Sequence, residues 1–216
     1  MTMSSQKISG AWQFSLVWVI LNAAGWAVGF GLELFISHSS TAAGLSKLFA
    51  SLAAAGVIGL VQWLALRWLI APMRSGSQGI AWVILTMFGF TAGFLAAGLV
   101  TGLLGQNLSP EDAAKVNFIA WGVVGLVTGG LQWMELQFFT RGMAWWLGTN
   151  TLGYALSGML MSVIRVEGTA SLGIYALAGA VVGATTLVAI SRLRRHEPAN
   201  RSYTESGTPP SSSEPG

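Results

Sequence analysis

Few residues in this chain of 216 could do chemistry, and most of those sit where water is scarce. Two acids, Glu33 and Glu135, fall inside long apolar stretches. An ionisable group held within a membrane is a functional candidate by default, because its charge is expensive there. Glu33 lies near one interface and Glu135 near the other, so much of a hydrocarbon core of roughly 30 Å separates them. They cannot act as a carboxylate pair. Each is near enough to its interface to reach water, and Glu135 is within reach of Arg67 or Arg141. Snorkelled or ion-paired acids are therefore the expectation.

Uncharged polar residues recur at fixed spacing. Asn22, Thr86 and Asn150 are each 64 residues apart and occupy one level. They could form a hydrogen-bonded layer near a common axis, or each could bond locally. Gln62 and Gln132 share a second level, about one turn inside the opposite boundary of their stretches. That boundary is the cytoplasmic one, and they are expected to bond across to another helix or a backbone carbonyl, or to form a polar ring that binds a headgroup or substrate at the inner face. Arg192, Arg194 and Arg195 make a short basic cluster that suits anionic lipid headgroups or simply fixes topology. His38 reads as part of a loop and His196 as part of the tail, which disfavours histidine-ligated pigment. Cysteine is absent, so disulfides, thiolate metal sites and thiol nucleophiles are excluded. No Ser/His/Asp set, phosphate loop or metal-ligand spacing occurs. The expectation is of no enzyme, no cofactor and no metal.

The elements that must position these residues are six apolar stretches, at 12–36, 46–70, 80–104, 113–139, 143–164 and 169–190. Each reaches the roughly 20 residues a helix needs to cross a bilayer. In lipid the backbone must bond to itself, so they read as helices. The chain is 53% apolar and 9% charged, too little charge to cover a water-facing surface. The net charge of +3 is small and its placement matters more than its size; the lipid bilayer is the expected partner, and no nucleic acid is expected. The run Ser109-Pro110-Glu111-Asp112 is a helix start, with a Ser cap, Pro at the first helical position and acids in the first turn. Residues 1–11 read as a short N-terminus. Residues 191–216, basic and then rich in Ser, Pro and Gly, read as a disordered tail.

Six spans put both termini on one side. That side would carry Lys7, Arg67, Arg74, Arg141, Arg192, Arg194, Arg195 and Arg201, against Lys47, Lys115 and Arg165 on the other. By the positive-inside rule both termini are cytoplasmic. Trp12, Trp18, Trp63, Trp68, Trp82, Trp133, Trp145 and Trp146 fall near the same ends and read as an interfacial indole belt.

An internal repeat organises the whole. Trp18…Gly25-Trp26…Gly29, Trp82…Gly89-Phe90…Gly93 and Trp146…Gly153-Tyr154…Ser157 are three copies at an offset of 64 residues. The alternate helices share Ala55…Gly59…Gln62-Trp63…Leu66 and Gly125…Gly129…Gln132-Trp133…Leu136, with a degraded third copy in Gly179…Gly183…Thr186-Leu187…Ile190. The small-x-x-x-small spacing lets helix backbones approach closely, or offers a flat surface to a planar ligand such as a quinone or pigment. Two spans per copy make the repeats parallel. The expected fold is thus all-α: six transmembrane helices in three hairpin repeats around a pseudo-threefold axis.

The repeated hairpin with its Gly-x-x-Gln-Trp-x-x-Leu element, over nearly all of 12–190, resembles uncharacterised bacterial multi-pass membrane proteins. The resemblance implies the membrane fold and brings no activity with it. Mitochondrial-type carriers are also three hairpins, but their Pro-x-Asp/Glu-x-x-Lys/Arg signature is missing here. The favoured expectation is a non-enzymatic protein of the inner membrane that packs against lipid, a partner or a second copy. The alternatives are a small-solute transporter or channel along the repeat axis, and a binder of a lipid, quinone or pigment.

Overall fold

The computed structural model of the chain describes residues 4–39, 45–69, 71–104, 110–138, 144–164 and 170–193. They form six helices: α1 (Ser4–Ser39), α2 (Leu45–Leu69), α3 (Gly76–Leu104), α4 (Pro110–Leu136), α5 (Ala144–Val163) and α6 (Ser171–Leu193). A short 3-10 turn, Ala71–Arg74, joins α2 to α3. Helix α4 starts at Pro110, where a missing N–H is no loss because the first turn has no acceptor for it. Asp112, in that first turn, pairs with Lys115 at 3.1 Å. His38 lies within the last turn of α1 rather than in a loop. The Ser109 cap, Arg194, Arg195, His196 and the tail lie outside the described residues.

Five of the helices are long and apolar enough to cross a membrane: the windows are Gln13–Ile36, Ser46–Trp68, Gly76–Leu104, Asp112–Leu136 and Ser171–Arg192. The fifth stretch, expected as a span on its length, is the exception. At 20 residues α5 measures about 30 Å, but Thr149, Asn150, Thr151 and Ser157 lower its apolarity. Thr149, Asn150 and Ser157 are buried inside the protein, so the polarity of α5 points away from the surroundings.

Each helix packs against its neighbours in sequence, and α1 closes on α6, so the six make a ring. Contacts fix every neighbouring pair as antiparallel. On α1 against α6, Gly183 meets Val19 and Asn22, Gly179 meets Asn22 and Trp26, and Gly31 meets Leu172. The ends of α1 and α6 nearest the termini therefore share one end of the ring, called proximal below. The α1–α2, α3–α4 and α5–α6 connections share the distal end.

Small residues make this close packing possible. A Cβ on Gly29 would sit 2.8 Å from the Ala54 carbonyl oxygen, one on Gly89 2.7 Å from Thr128 Cα, and one on Gly93 2.8 Å from Val124 Cα. These odd-helix glycines face the even helix that follows. The even-helix glycines face the next odd helix: Gly59 against Thr86, Gly125 and Gly129 against Asn150, Gly179 and Gly183 against Asn22. Helix packing thus uses the whole small-x-x-x-small pattern, and these faces hold no planar ligand.

Large apolar side chains cover the outside of the ring. Leu103 is 84% exposed, Phe35 and Leu99 71%, and Phe88 and Leu95 are also open. A water-soluble protein does not surround itself with such a surface, whereas lipid accepts it. The helices are apolar on their inward and outward faces alike.

Candidate functional site

The interior of the ring is built in levels. At the proximal end Trp18, Trp82 and Trp146 are fully buried, with Trp146 edge-on to Trp18 at 6.4 Å and to Trp82 at 5.7 Å. Leu66, Leu136 and Ile190 from the even helices pack in the same cluster. The sequence reading of these three tryptophans as an interfacial belt is wrong. Each lies on the inward line of its helix, and hydropathy does not distinguish the inside of a membrane bundle from its lipid face. Trp68 and Trp145, which are exposed at the proximal end, do fit an interfacial role.

One turn inward lies a layer of buried polar side chains. Asn22 and Asn150 donate from Nδ2 to the Trp18 and Trp146 carbonyls at 2.9 and 3.0 Å, and Thr86 Oγ1 donates to the Trp82 carbonyl at 2.8 Å. All three are the same i to i−4 bond. Gln62 donates to Asn22 Oδ1 at 3.0 Å, and Gln132 donates to Gln62 Oε1 at 3.1 Å and to Thr86 Oγ1 at 2.9 Å. The indoles join from below: Trp146 Nε1 donates to Gln132 Oε1 at 3.2 Å and Trp18 Nε1 to Thr186 Oγ1 at 2.9 Å. Asn22, Thr86, Gln62 and Gln132 thus form one network, and Thr186 supplies the third even-helix position. Gln62 and Gln132 are buried, so they do not line an accessible inner-face ring. Trp82 Nε1, whose counterparts both find acceptors, has none.

Above that layer Trp26, Phe90 and Tyr154, again 64 residues apart, meet in a closed triangle. Their ring centroids lie 5.3, 5.9 and 6.4 Å apart with interplanar angles of 63°, 64° and 79°, an edge-to-face pinwheel across the axis. All three are fully buried, so this level is a solid plug.

One turn further the residues at this spacing are no longer alike, and a cavity of about 340 Å³ opens at the distal end. The three equivalent positions are Phe30, Phe94 and Gly158. Trp121 of α4 lies against Gly158, where a side chain would collide with the indole. The next equivalents are Glu33, buried Ala97 and Met161. Tyr175 of α6 stacks on Phe30 at 4.6 Å and 14°. Phe30, Glu33, Phe94, Trp121, Met161 and Tyr175 all line the cavity. Glu33 Oε1 accepts from Ser51 Oγ at 3.4 Å, while its Oε2 is buried with no hydrogen-bond partner. Sequence reasoning isolated Glu33 but missed its aromatic surroundings. The Phe/Phe/Gly and Glu/Ala/Met columns were the available signal.

No family model, no curated protein and no solved structure matches this chain.

The remaining candidates are proximal. Glu135 is only 6% exposed, and both its oxygens are buried without a hydrogen-bond partner. The expected partner Arg67 instead lies over the Trp63 ring at 5.6 Å, and Arg141 is outside the described residues. Glu135 is therefore neither snorkelled nor paired with Arg67. Arg192 sits over the Trp145 ring at 3.7 Å. Trp63, Arg67, Trp68 and Arg74 border a proximal cleft of about 530 Å³. Among the described residues no group of three or more acids or histidines could hold a metal.

Proposed function

We propose that this chain is a multi-pass inner-membrane protein that acts by binding rather than by catalysis or conduction, with both termini cytoplasmic. On this reading α5 is a sixth span, because Thr149, Asn150 and Ser157 are buried and it packs between α4 and α6, which are themselves apolar enough to span. The six helices are then three parallel hairpins about a pseudo-threefold axis. The triangle of Trp26, Phe90 and Tyr154 and the matched carbonyl bonds of Asn22, Thr86 and Asn150 support that symmetry.

The observation that carries the functional reading is the filled axis. A solute pathway along it would need accessible polar groups, yet Asn22, Thr86, Asn150, Gln62 and Gln132 are buried and bonded to one another or to backbone. Two tiers of aromatic rings enclose them. What the bundle offers outward is an apolar exterior, suited to lipid, a membrane-protein partner or a second copy, with basic and indole side chains at the proximal rim. Anionic headgroups suit Arg192 stacked on Trp145.

Reconstitution tests the reading. Proteoliposomes should pass ions and small solutes no faster than protein-free vesicles, while crosslinking in native membranes should recover an oligomer or a membrane partner. Flux that disappears in Asn22→Leu or Gln62→Leu would establish the channel alternative and overturn this one.

A further inference from the structure

We propose that the distal cavity is a binding site for a small organic cation, an alkylammonium or quaternary ammonium group. The inference is independent of whether the exterior of the bundle has a protein partner.

Three observations converge on it. The cavity volume of about 340 Å³ falls in the size range of small-molecule sites. Its walls carry aromatic rings from four helices, namely Phe30, Phe94, Trp121 and Tyr175, and rings of this kind attract a cation through their negative faces. One carboxylate, Glu33, lines it with an oxygen that is buried and, among the described residues, has no hydrogen-bond partner. A buried carboxylate is normally matched by a cation or by donors. Among the residues whose side chains are described, the one bond to the Glu33 carboxylate is that from the Ser51 hydroxyl, and none of them forms an ion pair with it.

The repeat strengthens the case. A symmetric bundle would carry three like residues at each level, as the levels below nearly do. At this level the chain has one acid beside Ala97 and Met161, and a glycine where its counterparts have phenylalanine. At 158 the Trp121 indole stands where a side chain would be and forms a wall of the cavity, and the single acid supplies charge. Close packing alone would fill the space.

The cation is organic rather than metallic for a chemical reason. Hard cations such as Ca²⁺ take six or more oxygen ligands. Here Glu33 is accompanied by Asn117, Ser162 and Tyr175 as the polar groups among rings. A carboxylate over aromatic walls is the pattern that recognises quaternary ammonium groups.

Choline and its neutral carbon isostere 3,3-dimethyl-1-butanol differ at the head only in charge. Tetramethylammonium and phenethylammonium extend the panel to a smaller and a larger cation. Binding is measured by titration calorimetry on the full-length protein in detergent. At least one cation should bind, choline should bind about tenfold or more tightly than the isostere, and Glu33→Gln should erase that difference. Glu135→Gln, outside the cavity, should leave it intact. Tyr175→Leu, which removes the ring stacked on Phe30, should weaken cation binding with Glu33 still present. The thermal unfolding midpoint of each variant, measured in parallel, separates loss of the site from loss of the fold. No binding by any cation, equal affinity for choline and the isostere, or undiminished choline binding by folded Glu33→Gln would each overturn the proposal.

Discussion

Replacing Gln132 by leucine attacks the polar layer at its most connected member. Its amide donates to Gln62 and Thr86 and accepts from Trp146, three bonds that all end on buried groups. Side-chain hydrogen bonds between membrane helices average about 0.6 kcal/mol, so three are worth about 2 kcal/mol. Leucine matches glutamine closely in size, so little cavity term arises. It does, however, leave Trp146 Nε1 and Gln62 Oε1 buried without their partner, and an orphaned group costs about 1–3 kcal/mol. Thr86 is hurt less, because its hydroxyl still donates to the Trp82 carbonyl. The expected destabilisation is about 2–4 kcal/mol. Reversible unfolding in mixed detergent micelles reads this directly. Thr101→Val is the control: Thr101 is partly exposed and donates to the Gly98 carbonyl of its own helix, and its loss should cost less than about 0.5 kcal/mol. A cycle with Gln62→Leu should give a coupling of about 0.5 kcal/mol or more, since the pair share a bond. A Gln132→Leu effect no larger than that of Thr101→Val would refute the network as a source of stability.

Other expectations follow from individual contacts. Gly89→Ala should cost about 1–3 kcal/mol, because its methyl would meet the Thr128 backbone, which cannot step aside. Gly102→Ala, with nothing within 4 Å, should be neutral or slightly stabilising; unfolding of the two variants side by side checks both. Trp18→Phe should be worse than Trp82→Phe by about 1 kcal/mol, since only the Trp18 indole donates a hydrogen bond. Equal losses would show that the bond to Thr186 contributes nothing.

How much of this was legible in the sequence depends on what lipid rewards. Helices were legible because a long uncharged run has no other way to satisfy its backbone in hydrocarbon. The 64-residue spacing of Trp, Gly and aromatic residues was legible, and residues so spaced meet: Trp146 lies edge-on to Trp18 and Trp82, and Trp26, Phe90 and Tyr154 close a triangle. Which face of each helix turns inward was not legible, because core and lipid are both apolar and leave no periodic contrast. That is why Trp18, Trp82 and Trp146 read as an interface and Gln62 and Gln132 as a separate ring. Helix α5 shows the converse. Its polar side chains lower its apolarity below that of its neighbours, though they serve the interior. The distal cavity was invisible for a third reason, since it arises where the columns at 30 and 33 depart from the repeat and α4 and α6 contribute Trp121 and Tyr175.

The central claim is that all six helices thread the bilayer, α5 included. The chain contains no cysteine, so single cysteines introduced at chosen positions report their side of the membrane to an impermeant maleimide. Asn107→Cys and Glu167→Cys should label in intact cells, whereas Gly142→Cys and Ser212→Cys should label only after permeabilisation. If Gly142→Cys and Glu167→Cys label from the same side, α5 does not span, and the threefold bundle is wrong.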